Sequence, residues 1–190
     1  MLISISAMKN TILNFLILGI SLAFPALTFS QNTGDHHTAV LQKLDYPSSL
    51  AELLKQFEGK VVYIDVMASW CKPCIAELKE TKKLQPYFEE NHIVKLFLTI
   101  DNKDDIHKAF SIIQKDSLHG YFIASQPQQD MGASSFRQDI ETLFLMDEEG
   151  NLDISIPRYA IVNKKGEIVK KRAARPSNPV SLKKQLESYL

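Results

Sequence analysis

One stretch of the sequence decides the fold: Val61-Val-Tyr-Ile-Asp-Val-Met-Ala-Ser-Trp-Cys-Lys-Pro-Cys-Ile-Ala-Glu77. Its first part is apolar and rich in β-branched residues, interrupted only by Asp65, which is typical of a central strand covered on both faces. From Cys74 onward, apolar residues recur every three or four positions, which indicates an amphipathic helix. The sequence therefore predicts a buried strand that passes into a helix, with Cys71 and Cys74 at the junction.

The two cysteines lie where thiol chemistry is favoured. The free N–H groups and the dipole of a helix N-terminus stabilise negative charge, so we expect Cys71 to lose its proton more readily than an ordinary thiol. Cys74 can reach the sulfur of Cys71 and displace a partner held there as a mixed disulfide. Lys72 adds positive charge, unless it is an ordinary solvated lysine, and Pro73 suits the first helical turn. The residues predict thiol-disulfide exchange, with Cys71 as nucleophile and Cys74 as resolving cysteine.

Two acidic residues flank the cysteine pair. Asp65 interrupts an apolar strand, where desolvation should raise the pKa of its carboxyl group. Beneath the pair, Asp65 could accept a proton from Cys74 during resolution. The alternative is a strand-end aspartate that pairs with a lysine or touches solvent. Glu77 lies one helical turn after Cys74 and could act similarly, although a surface glutamate in a first turn is equally ordinary.

The segment Asp65-Val-Met-Ala-Ser-Trp-Cys-Lys-Pro-Cys74 resembles the thioredoxin superfamily, because the acid, Trp70 and the C-x-x-C pair have the spacing of that family. The acid at Glu77 is similar to the exported TlpA/ResA-like branch, in which an acid at this place tunes the active-site thiols. Because the chain has both Asp65 and Glu77, it combines features of two branches of the superfamily. The resemblance implies a thiol-disulfide oxidoreductase with a redox-active Cys71–Cys74 disulfide and without a metal or another cofactor.

The resemblance also gives a role to Pro157. Members of the superfamily place a cis proline opposite the cysteine pair, and only an X-Pro bond adopts cis without a heavy energetic cost. Ile156 would then expose backbone groups that pair with an extended substrate segment beside Cys71. The alternative is a trans proline that merely opens a strand. The residues expected to contact substrate are Trp70, Lys72, Pro73, Ile156 and Pro157.

The rest of the chain predicts alternating strands and helices. We expect an α/β thioredoxin fold with a central mixed sheet flanked by helices, an N-terminal extension and a central strand–helix insert. Pro86 should kink or end the helix that follows the cysteines. The segment from Met146 to Asp153 is interpreted as a long loop. The other predicted elements are strands at 40–44, 93–100, 120–124, 156–162 and 167–171, and helices at 49–56, after Asp104 or Asp105, after Ser134 or Ser135, and after the cap Asn178.

The N-terminus differs from the rest of the chain. Lys9 precedes an apolar run over residues 11–24, and small residues come before Gln31, which is the pattern of a secretory signal peptide. We predict a signal peptide at residues 1–30 and a thioredoxin-like domain at residues 31–190, located in the periplasm. An uncleaved membrane anchor is the alternative, although the apolar run is short for a membrane-spanning helix.

The composition limits the partners. The 190 residues are 45% hydrophobic and 23% charged, as in an ordinary one-domain globular protein. The 22 lysines and arginines balance 22 acidic residues, so no broad attraction to nucleic acid is implied. We expect a monomer whose partners are protein disulfides or dithiols. Ile156 before Pro157 and a buried acid resemble the reducing members of the superfamily, and this resemblance implies reduction and a membrane-bound thiol electron donor.

Two other functions stay open at this point. A metal-binding or copper-delivery module would need further ligands, and closed zinc sites take four. A peroxidase would use a lone reactive cysteine, and this chain lacks the proline and threonine that precede such a residue. Retained metal would favour the first alternative, and rapid peroxide turnover the second. The histidines available as ligands are scattered in sequence, at His36, His37, His92, His107 and His119.

Overall fold

A computed structural model describes residues 41–126, 135–147 and 149–190. The predicted positions Val40 and Ser134, and the proposed signal peptide, lie outside these residues. The elements in chain order are β1 (Leu41–Lys43), α1 (Leu50–Lys55), β2 (Val62–Met67), α2 (Lys72–Glu90), β3 (Val94–Thr99), α3 (Ile106–Lys115), β4 (Gly120–Ala124), α4 (Ser135–Phe144), β5 (Arg158–Val162), β6 (Ile168–Lys170) and α5 (Pro179–Glu187).

The strands form one six-stranded sheet in the order β1-β4-β3-β2-β5-β6. The first four strands in this order run parallel, whereas β5 pairs antiparallel with both β2 and β6. The predicted mixed sheet flanked by helices is therefore confirmed. Strand β2 lies inside the sheet and is buried along its whole length, as its apolar sequence predicts.

Side-chain alternation along β2 divides the core into two layers. Val62, Ile64 and Val66 pack in the layer that contains the buried faces of α1 and α4. Met67 packs on the opposite side, in the layer that contains both cysteines and the buried face of α3. Asp65 has the same parity as Met67, so its carboxyl group belongs to the face that carries the cysteine helix.

The predicted cap residues stand at the start of two helices, α1 and α3, but only one of them makes a capping hydrogen bond. Ser49 Oγ accepts the N–H of Glu52 at 3.1 Å, as the capping pattern predicts, while the Glu52 carboxylate accepts the N–H of Ser48 at 2.7 Å. Asp105 stands at the predicted cap of α3, but its side chain makes no capping hydrogen bond. It pairs instead with Lys108 Nζ at 2.6 Å. The predicted cap position at Asp105 is therefore correct, but its carboxylate forms an ion pair with Lys108 and no capping hydrogen bond.

Pro86 does not end α2, which continues to Glu90. A proline inside a helix removes one hydrogen bond, to the carbonyl group four residues earlier, at Lys82. Both Pro86 and Lys82 are exposed residues. Of the two predicted outcomes, a kink or an end of the helix, the end was therefore wrong.

The segment after α4 was expected to be an irregular loop, and the described part of it is a small hairpin. Met146 and Leu152 form an isolated antiparallel bridge, and the N–H of Asn151 donates to Asp147 Oδ1 at 2.7 Å. The buried guanidinium of Arg158 pairs with Asp153 and donates to the carbonyl oxygen of Phe144. These bonds join the hairpin to the end of α4 and the start of β5.

Candidate active site

The cysteine pair forms a disulfide at the N-terminus of α2. The two sulfurs are 2.06 Å apart, and Cys71 is the N-cap residue of the helix. Its Sγ accepts the N–H of Cys74 at 3.2 Å. A negative charge that develops on this sulfur is therefore met by a backbone donor and the positive end of the helix dipole. Trp70, Lys72 and Pro73 are exposed around the pair.

The Ile156–Pro157 segment lies beside the first cysteine. The peptide bond between these residues is cis, as the resemblance implied. The carbonyl oxygen of Ile156 is 3.7 Å from Cys71 Sγ, although the two residues are 85 positions apart in sequence. The fold therefore brings together the cysteine pair and the backbone group expected to bind an extended partner.

Asp65 is a buried carboxylic acid without a polar partner in the described part of the chain. Only 3% of the residue is exposed, and neither carboxyl oxygen has a hydrogen bond there. Burial and, to a smaller extent, the negative charge of Glu77 together raise the pKa of Asp65 from 3.8 to about 8. The alternatives of a lysine pair or contact with solvent are therefore wrong. At neutral pH this carboxyl group is mostly protonated.

Glu77 is buried against the segment that precedes α5. Its carboxylate accepts the N–H of Ser177 at 2.9 Å and the Ser177 hydroxyl at 2.7 Å. The reading of Glu77 as an ordinary surface glutamate is therefore wrong. Sequence reasoning missed Ser177, because a contact between residues 100 positions apart leaves no local pattern. The pair fixes the first turns of α2 and places a second carboxylate near Asp65.

A further buried aspartate holds the turn that precedes the cysteines. Asp101 accepts the N–H of Ser69 at 2.8 Å and the Ser69 hydroxyl at 2.7 Å, and it also accepts the hydroxyl of Thr99 at 2.5 Å. Asp101 was not among the residues predicted for the site. The sequence signal for Asp101 was its position at the carboxyl end of a strand adjacent to β2. The carboxyl ends of parallel strands meet at one edge of the sheet, so Asp101 could have been placed near the turn that precedes the cysteines.

Neutralising Glu77 should lower the pKa of Asp65. In Glu77→Gln, a like charge that disfavours ionisation of Asp65 is removed, so the carboxyl group should titrate at lower pH in the oxidised protein. The measurement is an NMR titration of the Asp65 carboxyl carbon. Ser177→Ala is the matched control, because it keeps the charge of Glu77 and should cost about 1–2 kcal/mol of stability through the lost hydroxyl bond. An unchanged Asp65 midpoint in Glu77→Gln would contradict this coupling.

The described residues contain no cluster of three or more His, Cys, Asp or Glu side chains that could hold a metal ion. His36 and His37 lie outside them. Within the same ranges, His119 Nδ1 contacts Glu89 at 2.7 Å and Gln85 at 2.8 Å, so its ring has protein partners. No helix in the described ranges is both long and apolar enough to cross a lipid bilayer.

The geometry of the site agrees with comparisons to known proteins. The model of the Redoxin family matches residues 23–188. The chain belongs to the Redoxin family. Among curated proteins, it is 27% identical over 103 residues to the thiol-disulfide oxidoreductases ResA of Bacillus thuringiensis subsp. konkukian and Bacillus cereus. These matches cover 52% of this chain and 56% of each relative, so the chain spans little more than half the length of these relatives.

Solved structures of other proteins share the fold. A crystal structure from Bacteroides vulgatus, of a protein proposed to be a thiol-disulfide oxidoreductase, aligns with a TM-score of 0.53 and 27% identity over 72% of this chain and 83% of that one. The thioredoxin domain of a second Bacteroides vulgatus protein aligns with a TM-score of 0.51 and 18% identity over 72% and 83% of the two chains. The thioredoxin fold and the TlpA/ResA-like resemblance predicted from the motif are thus confirmed for this redoxin.

Proposed function

We propose that this redoxin is a thiol-disulfide oxidoreductase that acts through Cys71 and Cys74. The observation that carries the proposal is the Cys71–Cys74 disulfide at the N-terminus of α2, with the Ile156 carbonyl oxygen 3.7 Å from Cys71 Sγ. An exchange reaction needs an activated sulfur, a second sulfur within reach and a surface that presents the partner. The names of the ResA relatives agree with this chemistry.

In the reducing direction, the Cys71 thiolate attacks one sulfur of a partner disulfide. A mixed disulfide forms, and the other partner sulfur leaves as a thiolate. The Cys74 thiolate then attacks Cys71 Sγ, which releases the second partner thiolate and leaves the disulfide of this structure. Two electrons pass to the partner, and its two thiolates take up two protons.

Asp65 is suited to exchange a proton with Cys74 during these steps. Its pKa of about 8 is close to working pH, where a group can both accept and return a proton. Asp65 would take the proton from Cys74 before resolution and remain protonated while the disulfide persists. When a donor reopens the disulfide, this proton is available for Cys74. Glu77 acts through Asp65 as a positioning residue, by keeping the pKa of that carboxyl group high.

The surroundings of Cys71 favour a reductase. A thiolate that is strongly stabilised makes the dithiol form stable and the protein oxidising, whereas weak stabilisation makes it reducing. Lys72 is exposed, so solvent screens its charge. Glu77 is buried on the side of the sheet that carries the cysteine helix, where its negative charge opposes a thiolate, and the mostly protonated Asp65 adds no positive charge there. The electrostatic balance therefore disfavours a strongly stabilised thiolate.

The redox potential should lie near the reducing end of the superfamily. Equilibration of the full chain with mixtures of reduced and oxidised glutathione should give a value closer to the about −270 mV of thioredoxin than to the about −120 mV of DsbA. Mass spectrometry after acid quenching and thiol alkylation gives the ratio of the two forms. A value near that of DsbA would overturn the reducing direction, and a Cys pair that never opens would overturn the activity itself.

The cellular setting belongs to the same proposal. Residues 1–30 would direct export, and residues 31–190 would act in the periplasm as a monomer on disulfides of envelope proteins. A membrane-bound thiol donor would return the Cys pair to the dithiol form. The support is the apolar run at residues 11–24 and the redox-active pair, which outside the cytoplasm needs a dedicated source of electrons.

A further inference from the structure

Exposed apolar side chains converge beside the cysteine pair. Among the described residues, five large hydrophobic side chains are exposed, and three of these line one cavity of about 400 Å³. They are Trp70, Leu152 and Ile154, which are 58%, 67% and 50% exposed. Ile100, Ile140 and Leu145 contribute further apolar surface to the lining. Apolar surface gathered into one concavity marks a binding site more strongly than the same residues scattered singly.

The cavity is continuous with the exchange site at two places. Trp70 is the chain neighbour of Cys71, and Ile154 lies two residues before Ile156, whose carbonyl oxygen faces Cys71 Sγ. A polypeptide segment held along Ile156 would therefore lie beside this cavity, within reach of Trp70 and Ile154. In an extended segment, successive side chains point to opposite sides, so a residue near the partner cysteine can point into the cavity while the backbone stays paired.

The wall formed by the hairpin is held in place by the core. Asp153 pairs with Arg158, a residue of β5 that is itself buried. The N–H of Asp153 also donates to the carbonyl oxygen of Leu145 at 2.6 Å. Leu152 and Ile154 flank this anchored aspartate, so their exposed side chains start from a fixed backbone. Such pre-organisation reduces the entropy that binding must overcome.

The charges of the lining favour a neutral, apolar occupant. Arg137 and Glu141 are the two charged residues that the described lining contains, and Arg137 Nε pairs with Glu141 Oε1 at 2.8 Å. A charged side chain that entered the cavity would lose water without gaining an uncompensated opposite charge. A leucine or phenylalanine side chain would bury apolar surface against Trp70, Leu152 and Ile154.

We infer that this cavity binds a large apolar side chain of a disulfide-bearing polypeptide, located a few residues from the cysteine that Cys71 attacks. This inference rests on the proposed function and specifies its substrates: extended protein segments with a leucine, phenylalanine or similar residue near the disulfide. The hairpin, whose role the sequence left unexplained, thereby becomes a determinant of specificity.

The test compares three disulfides with the full chain. The first is a peptide in which leucine flanks the disulfide-bonded cysteine, the second has serine at those positions, and the third is oxidised glutathione. The parent protein should reduce the leucine peptide with a kcat/KM about tenfold above that for the serine peptide. The double variant Leu152→Ser with Ile154→Ser should lose this preference to within about twofold, while glutathione reduction stays within about twofold of the parent.

Val180→Ser is the matched control, because Val180 is exposed on α5 and does not line the cavity. It should keep the full leucine preference. An unchanged preference in the double variant would overturn the inference, and so would an equal loss on all three disulfides. The inference would also be overturned if the parent formed a concentration-dependent dimer and the double variant were monomeric. The cavity would then be occupied by a second copy of this chain. Failure of the parent on every disulfide would overturn the proposed function itself.

Discussion

Cys71→Ser should abolish disulfide reduction, with a loss of at least about a thousandfold in kcat/KM, whereas Cys74→Ser should accumulate mixed disulfides. The hydroxyl group of serine cannot replace a thiolate as the attacking species, so no covalent intermediate forms in the first variant. In the second variant, Cys71 still attacks, but the sulfur that releases the partner is missing. Non-reducing electrophoresis and intact mass measurement should therefore show adducts of Cys74→Ser that a dithiol reagent removes.

The fold should survive both substitutions, which makes the kinetic result interpretable. The disulfide closes a loop across a sequence separation of 3, so its loss should cost only about 2 kcal/mol in the chain-entropy description. The double variant Cys71→Ser with Cys74→Ser is the matched control and should form no adduct. Adducts on Cys71→Ser and none on Cys74→Ser would reverse the assigned roles. Full activity in both single variants would end the proposal.

The strand–helix junction shows why so much of this site could be predicted from sequence. A β-branched apolar run, a change of period and two cysteines are local signals, and each follows from backbone geometry over a few residues. The role of Pro157 was predicted only from the resemblance to the superfamily, because the neighbouring residues in sequence do not indicate that it lies beside Cys71. Its place depends on the pairing of β5 with β2, which the chain alone does not specify.

The contacts that tune the site could not be predicted, and the reason is similar in each case. Ser177 contacts Glu77 across 100 positions, and one of the two residues that donate to the Asp101 carboxylate is Ser69, 32 positions away. Such bonds depend on how packed elements meet, and any of several serines could have served. The prediction for Pro86 failed for another reason: a proline removes one hydrogen bond and crowds the preceding turn, yet α2 continues past it at an exposed position.

Asp65→Asn should make the protein more stable at neutral pH and less active. In the folded chain the pKa of Asp65 is about 8, and its ordinary value is 3.8. Below pH 3.8 the group is protonated in both states, and its contribution to stability is fully present. As the pH rises towards 8, the unfolded chain releases the proton while the folded chain keeps it, so stability is lost. At pH 7 this loss amounts to about 4 kcal/mol.

Asparagine is a neutral isostere of the protonated acid and escapes this loss. Denaturant unfolding of the oxidised chain should therefore show Asp65→Asn to be about 2–4 kcal/mol more stable than the parent at pH 7, with the difference shrinking towards pH 4. Glu90→Gln is the matched control, since Glu90 is exposed on α2, and it should follow the parent at every pH. Parallel stability curves for Asp65→Asn and the parent would show that Asp65 titrates normally in the folded chain.

The same variant should reduce disulfides about a hundredfold more slowly at pH 7, because Cys74 loses its proton acceptor. Trapping should distinguish this effect from a structural one: if Asp65 serves the resolution step, Asp65→Asn accumulates mixed disulfides that the parent does not, although Cys74 is present. A buried acid that only filled space would give a more stable variant with unchanged exchange. A gain in stability together with a loss of turnover is the combination expected when a destabilising buried acid is retained for chemistry.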